Sequence, residues 1–133
     1  MSNWKSFYEL EIPVVDKQHQ ELFDILFSMR YLLNKEPAES RKKDIESIFL
    51  IFKKHIFIHF SIEENIMDSM VYPETSNHRL EHTRFLEILN ALKDDTITSE
   101  MDTLEFLEEW IYEHVSSYDW RLAKYYHSQH SKP

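Results

Sequence analysis

Cysteine and glycine are both absent from this sequence. Without cysteine the chain cannot form a disulfide, and thiolate nucleophiles, zinc fingers and iron–sulfur clusters are excluded. Without glycine it contains no glycine-rich phosphate loop, no dinucleotide-binding fingerprint and no nucleophile elbow, so nucleotide chemistry is not expected. Any metal site must therefore be built from nitrogen and oxygen ligands.

Positive charge and long apolar runs are also scarce. The formal net charge is −9, which argues against nucleic acid or an anionic membrane surface as a partner. The longest apolar runs, such as residues 48–52, are far shorter than the roughly 18 residues of a membrane span. The N-terminus lacks the basic region and apolar stretch of a signal peptide. We therefore expect a soluble, cytoplasmic protein that binds neither nucleic acid nor a membrane.

Apolar residues recur at helical spacing through almost the whole chain. The pattern predicts helices at about residues 16–35, 40–70, 75–93 and 99–122. The first 15 residues are apolar but contain Pro13, which disfavours a helix, so we predict an extended arm over residues 1–15, with Asp16 as the first N-cap. A chain of 133 residues is about one domain. The predicted fold is an all-α, up-down-up-down four-helix bundle spanning residues 1–133, with a metal site in its core.

Seven polar residues lie on the apolar faces of the predicted helices. These candidate metal ligands are His19, His59, Glu63, His78, His82, His114 and Asp119. His59 and Glu63 are four residues apart, so both side chains point in one direction from their helix. His114 and Asp119 are five residues apart and would diverge by about 140° on a regular helix. Either the carboxylate reaches around to the site or the helix loosens locally there.

Buried imidazoles and carboxylates without partners cost several kcal/mol for each unpaired charge, and a metal centre removes that cost. Two octahedral ions need about twelve coordination positions. Five imidazoles fill five of these positions, two bridging carboxylates fill four, and a shared oxide or hydroxide fills two. One position is left over. This vacancy suits reversible capture of a small diatomic molecule better than hydrolysis of a bulky substrate.

Four sequence motifs carry these ligands: VDKQH with His19, HFSIEENIM with His59 and Glu63, HRLEHTRFL with His78 and His82, and WIYEHVSSYD with His114 and Asp119. With these motifs the chain resembles the hemerythrins, specifically the bacterial single-domain kind (bacteriohemerythrins). The resemblance implies two non-haem iron ions, joined by an oxo or hydroxo bridge, that bind dioxygen. It assigns one iron to His78, His82 and His114, the other iron, with the open position, to His19 and His59, and the bridging role to Glu63 and Asp119.

The resemblance also implies a dry, apolar pocket around the open position. The predicted pocket residues are Leu22, Phe60, Trp110, Ile111 and Tyr118. Helical spacing supports this choice, because Leu22 lies one turn after His19, and Ile111 lies one turn before His114. Tyr118 would add an oxidisable phenol close to the pocket.

Other function classes stay open. A di-iron oxidase or peroxidase is the second hypothesis, although ferritin-type proteins use Glu-x-x-His motifs, and no histidine here has Glu three residues before it. An iron-handling or oxygen-sensing protein is the third, while a zinc hydrolase is disfavoured because the chain lacks His-Glu-x-x-His. The first hypothesis is an oxygen-binding monomer, acting in oxygen transport, storage, scavenging or supply. It is not an enzyme, with weak peroxidase or oxidase activity at most.

Three further histidines are interpreted as lying outside the site. His55 is the ambiguous one, because it precedes His59 by four residues on the same helical stripe. A packing or surface role is favoured for it. His127 and His130 lie beyond the last predicted helix and are interpreted as solvent-facing.

Overall fold

The computed structural model describes residues 9–35, 38–92 and 100–130, so most of the predicted arm, residues 1–8, lies outside the described residues. Within these ranges the chain forms helices and turns, with no β-strand. The helices are α1 (Pro13–Lys35), α2 (Ala38–Met70), α3 (Thr75–Ala91), α4 (Glu100–His114) and α5 (Trp120–His130), with a π-helical turn (Val115–Asp119) between α4 and α5. His114 and Trp120, which flank that turn, both have right-handed helical dihedral angles. Helix α4, the π turn and α5 therefore form one continuous rod.

Helices α1, α2 and α3 are the other three rods of the bundle. Each of the four rods runs antiparallel to its neighbours. His19, near the start of α1, lies beside Asp119 at the end of the π turn. Arg30, near the end of α1, pairs with Glu108 on α4, so residue numbers rise along one rod as they fall along the other. The same reversal relates α2 to α3 and α3 to α4. The prediction of an all-α four-helix fold is confirmed, and its up-down-up-down order follows from these contacts.

One apolar stripe from each rod faces the bundle axis and forms the hydrophobic core. Its fully buried large side chains include Leu22, Leu26, Met29, Phe52, Ile56, Phe85, Leu89, Leu104 and Leu107. Burial of each such side chain stabilises the fold by about 1.5–3 kcal/mol relative to exposure. Among the helices of the described ranges, none is both long and apolar enough to cross a membrane.

The first helix begins at Pro13, earlier than the predicted start at Asp16. Proline is favoured in the first turn of a helix, because its missing N–H would have no partner there and its φ angle is already helical. Asp16 lies within that turn and accepts hydrogen bonds from the backbone N–H groups of Leu10 (2.8 Å) and Glu11 (2.9 Å). The prediction of an extended arm is therefore wrong for residues 13–15, and the described part of the arm ends at Ile12.

The last rod continues to His130, well beyond the predicted end at Leu122. Leu122 packs against Met67 near the end of α2. His127 is half-buried, and its Nε2 donates a hydrogen bond to the carbonyl of Leu10 at 2.8 Å. These contacts correct the interpretation of His127 as solvent-facing, whereas His130 is exposed as expected. The predicted bounds at residues 93 and 99 lie outside the described residues, and the other predicted bounds differ from the observed ones by at most two residues.

Helix α2 ends in a left-handed residue that is not glycine. Val71 has a φ angle of 51°. Its N–H donates to the Asp68 carbonyl (3.2 Å), and the N–H of Tyr72 donates to the Met67 carbonyl (3.0 Å). This is the Schellman pattern of helix termination, in which glycine is normal because a β-branched side chain crowds the left-handed backbone. In a chain without glycine, valine takes this position at a conformational cost.

The Val71→Gly variant should raise the free energy of unfolding by about 1 kcal/mol. The Val71 side chain is 83% exposed, so its removal loses little packing while it relieves the left-handed strain. Thermal denaturation measures the change. Val14→Gly, at an exposed position inside α1, is the control and should lower the melting temperature, because glycine there only adds entropy to the unfolded chain. An unchanged or lower melting temperature for Val71→Gly would contradict the strain argument.

Candidate metal centre

Seven polar side chains are buried together between the four rods. Each is at most 2% exposed, and in the described ranges they are the complete set of buried polar or charged residues: His19, His59, Glu63, His78, His82, His114 and Asp119. These are the seven residues that the sequence spacing singled out. The structure therefore brings all the candidate ligands to one place.

The seven side chains form two overlapping groups of ligand atoms. In the three-histidine group, one nitrogen or oxygen from each residue lies within 4.8 Å of all the others; its members are Glu63, His78, His82, His114 and Asp119. The two-histidine group meets the same criterion with His19, His59, Glu63 and Asp119. Both carboxylates belong to both groups. His55 is half-buried one turn before His59 and belongs to neither group.

The carboxylate of Asp119 directs its two oxygens to different groups. Its Oδ1 lies 3.0 Å from His78 Nε2 and 3.1 Å from His114 Nε2, both in the three-histidine group. Its Oδ2 lies 3.0 Å from His19 Nε2 in the two-histidine group. Two ligand atoms bound at right angles, each about 2.1 Å from one ion, are about 3.0 Å apart. The observed distances match that spacing.

Glu63 divides its oxygens in the same way. Its Oε1 lies 3.1 Å from His82 Nε2 in the three-histidine group. Its Oε2 lies 3.3 Å from His59 Nε2 in the two-histidine group. A carboxylate that presents one oxygen to each of two groups has the orientation required of a bridge between two ions.

These carboxylate oxygens have close neighbours but no hydrogen bonds. Within the described part of the chain, neither oxygen of Glu63 or Asp119 has a partner with hydrogen-bond geometry. A buried carboxylate oxygen without a partner is costly. Cations placed among these atoms would satisfy the nitrogens and the oxygens together, whereas protons on a few rings satisfy only some of them. The donor set therefore fits a pair of metal ions with nitrogen and oxygen ligands.

The π turn brings Asp119 into line with His114. The backbone there makes a hydrogen bond across five residues instead of four, which widens the turn. The Ser116 hydroxyl also donates a hydrogen bond to the carbonyl of Tyr112, at 2.7 Å. The expected local loosening of this helix is thus a π-helical turn.

In two ligand histidines, Nδ1 points away from the cluster and forms a hydrogen bond with a side-chain oxygen atom. Glu64 Oε2 lies 2.9 Å from Nδ1 of His82. Gln18 Oε1 lies 2.7 Å from Nδ1 of His59. Because each oxygen accepts, Nδ1 must carry the hydrogen, and in the neutral ring the lone pair of Nε2 then faces the cluster. These contacts prepare both imidazoles for metal binding.

Sequence reasoning missed three residues that support the ligand histidines: Gln18, Glu64 and Glu81. The Glu81 carboxylate lies 3.8 Å from Nδ1 of His114, and this imidazole lowers the pKa of Glu81. Each of the three is a sequence neighbour of a predicted ligand. That adjacency is a weak signal, because most polar residues beside a buried position point into solvent.

The five predicted pocket residues differ in their burial. Leu22, Phe60 and Ile111 are buried, whereas Trp110 and Tyr118 are half-buried. Phe60 stacks on His82 with ring centroids 3.8 Å apart. Trp110 and Tyr118 both stack on His114, at 4.6 Å and 5.5 Å. These rings contact the three-histidine group, so the placement of Trp110 and Tyr118 beside an opening at the two-histidine group stays a prediction.

Buried charges in the cluster shift one another's pKa values when no cation is bound. Burial alone would raise the pKa of Glu63, but the nearby His59, His114 and His78 hold it well below its usual value. Burial alone would lower the pKa of His78, but the carboxylates of Asp119 and Glu63 raise it to about 8. The same environment raises the pKa of His114 well above its usual value. The carboxylates are therefore ionised, and imidazolium charge balances them.

Comparisons with known proteins identify a matching family and a matching fold. Residues 10–124 match the family model described as Hemerythrin HHE cation binding domain. The chain is 31% identical to a bacteriohemerythrin of Clostridium acetobutylicum over 121 residues, which cover 87% of this chain and 94% of the relative. It is 26% identical to a myohemerythrin of Sipunculus nudus over 118 residues, which cover 89% and 88% of the two chains. A crystal structure of wild-type hemerythrin has the same fold, with a TM-score of 0.80, 19% identity, and coverage of 93% of this chain and 95% of the other.

The affinity for divalent cations should rise with pH, because the ions must displace protons from imidazoles. The pKa of His78 is about 8 without a cation, so most of this ring is protonated near neutral pH. Each displaced proton changes the affinity by about tenfold per pH unit below that pKa. Calorimetric titration with Co²⁺ from about pH 6 to about pH 8, in two buffers with different ionisation enthalpies, measures affinity and proton release together. An affinity independent of pH would contradict this charge balance.

Proposed function

The chain belongs to the hemerythrin family, and we propose that it binds dioxygen reversibly at a pair of non-haem iron ions. The convergence of five imidazoles and two shared carboxylates in two overlapping groups carries the proposal. In it, His78, His82 and His114 hold one iron, His19 and His59 hold the other, and Glu63 and Asp119 bridge them. The bound iron pair supplies the electrons and the coordination position that dioxygen requires.

The balance of neutral and anionic ligands supports an oxygen carrier over an oxidase. The cluster contains two carboxylates and five imidazoles, whereas ferritin-type di-iron proteins use four carboxylates and two histidines. Anionic oxygen ligands stabilise the ferric state, and neutral imidazoles leave the ferrous state accessible. This ligand set would therefore favour the release of bound oxygen over its further reduction. The proposed protein is thus an oxygen-binding protein, not an enzyme.

Aromatic rings limit the access of water to the cluster. Phe60 covers one face of the His82 ring, with a centroid distance of 3.8 Å. Trp110 stacks between Phe85, at 3.7 Å, and His114, at 4.6 Å. Because Phe60 and Phe85 are buried, these rings add apolar surface beside His82 and His114. A dry surrounding keeps water and protons from the site and favours release of the oxygen unchanged.

Iron(II)-loaded protein should develop visible absorption on exposure to air and lose it when oxygen is removed. The dry, imidazole-rich site should allow several such cycles. Absorption spectra recorded over repeated cycles under air and argon measure the fraction that stays reversible. Rapid irreversible oxidation together with turnover of added peroxide would contradict the carrier proposal and favour the oxidase or peroxidase hypothesis.

The His59→Ala variant should reduce the bound iron from about two ions per chain, because the two-histidine group then keeps a single imidazole. The matched control is His55→Ala on the same helix, which should leave the iron content unchanged since His55 belongs to neither group. Metal analysis after reconstitution measures both, and circular dichroism verifies that both variants are folded. Equal losses of iron would refute the ligand assignment.

A further inference from the structure

Two glutamates lie behind the histidines of the three-histidine group. The carboxylate of Glu64 accepts the Nδ1 hydrogen of His82 at 2.9 Å. The carboxylate of Glu81 lies 3.8 Å from Nδ1 of His114. Glu64 and Glu81 are each about three-quarters buried, with 25% of the side chain exposed, so water screens their charges only in part. This group therefore has negative charge directly behind two of its three imidazoles.

Among the described residues, no carboxylate lies within 4.0 Å of the outer nitrogens of His19 and His59 in the two-histidine group. The outer partner of His59 is the amide oxygen of Gln18, at 2.7 Å, and an amide is neutral. Nδ1 of His19 has no hydrogen-bond partner within the described ranges. Since Glu63 and Asp119 are shared by both groups, they do not distinguish them. The outer partners are the source of the difference in charge.

Arg79 fixes the orientation of Glu64. Its Nε lies 3.2 Å from Glu64 Oε1, while Oε2 of the same carboxylate faces His82. The Nη2 of Arg79 lies 3.0 and 3.1 Å from the two oxygens of Asp68, which anchors the guanidinium in turn. Glu64 therefore has one oxygen for the ion pair and one for the imidazole, and it is not free to turn into solvent.

A carboxylate that accepts from a ligand imidazole makes the ring a stronger donor, and loss of such a partner costs about 10- to 100-fold in metal affinity. The following inference rests on the proposed iron-pair site. We propose that Glu64, oriented by Arg79, is a positioning residue that makes the three-histidine position bind its metal ion more tightly than the two-histidine position does. The ions then bind in sequence, first at the three-histidine position and second at the two-histidine position. Because the second position carries the proposed opening for oxygen, a half-loaded chain has no iron that oxygen can reach.

Stepwise titration with Co²⁺ in the absence of oxygen tests this inference. Wild-type protein should bind two ions in two resolved steps. The Glu64→Gln variant, which gives His82 the same neutral kind of partner that His59 has, should weaken the first step by about tenfold or more and leave the second unchanged. The reciprocal Gln18→Glu variant should tighten the second step by a similar factor and leave the first unchanged. Both variants should bring the two affinities closer together.

Three controls assign the steps to the two positions. His82→Ala should abolish the tight step, and His59→Ala should abolish the weak one. Glu87→Gln removes a charge from an exposed position on α3 and should change neither step, which separates the contact with His82 from general electrostatics. Thermal denaturation of each metal-free variant verifies that it is folded.

Equal weakening of both steps by Glu64→Gln, or no change in either step, would overturn the inference. The titration contains no oxygen, so its outcome is independent of the oxygen-binding proposal. Two resolved steps in a protein without oxygen-dependent absorption would contradict the proposed function and leave the binding order standing. Reversible oxygen-dependent absorption, together with two equal binding steps that do not depend on Glu64, would contradict the binding order and leave the proposed function standing.

Discussion

The compensation of buried negative charge by positive charge is the constraint on which this structure depends. Two carboxylates lie in the dry centre of the bundle with no hydrogen bonds from any described residue. When no cation is bound, imidazolium rings supply the compensating charge, as the raised pKa of His78 indicates. Bound ions would replace those protons. Cation binding, protonation and the stability of the core are therefore coupled in this protein.

The scaffold meets this constraint with rigid elements. All seven side chains project from helices or from the π turn, so none depends on a loop for its position. Packed helices hold ligand atoms more precisely than loops do. Where a regular helix would misplace Asp119, the turn widens instead. The π turn thus lies at the ligand pair, His114 and Asp119, that a regular helix would misplace.

The errors of sequence-based prediction have identifiable physical causes. Proline disfavours the interior of a helix, but at the first position, where Pro13 lies, it is favourable. The last rod extends past the predicted end because Leu122 packs against α2 and His127 bonds to Leu10, and neither contact has a local sequence signature. Gln18, Glu64 and Glu81 resemble ordinary surface residues in the sequence, since their role depends on which imidazole of another helix they face.

The sequence was sufficient to predict the helices and to identify the seven candidate ligands, because helical spacing alone decides which side chains share a face. It also indicated that His114 and Asp119 need a local adjustment of the helix. Which oxygen of Glu63 faces which group, how the π turn is built and which charges lie behind each imidazole were decided by tertiary structure. Those features arise from contacts between residues on different rods, and the spacing along one helix contains no information about them.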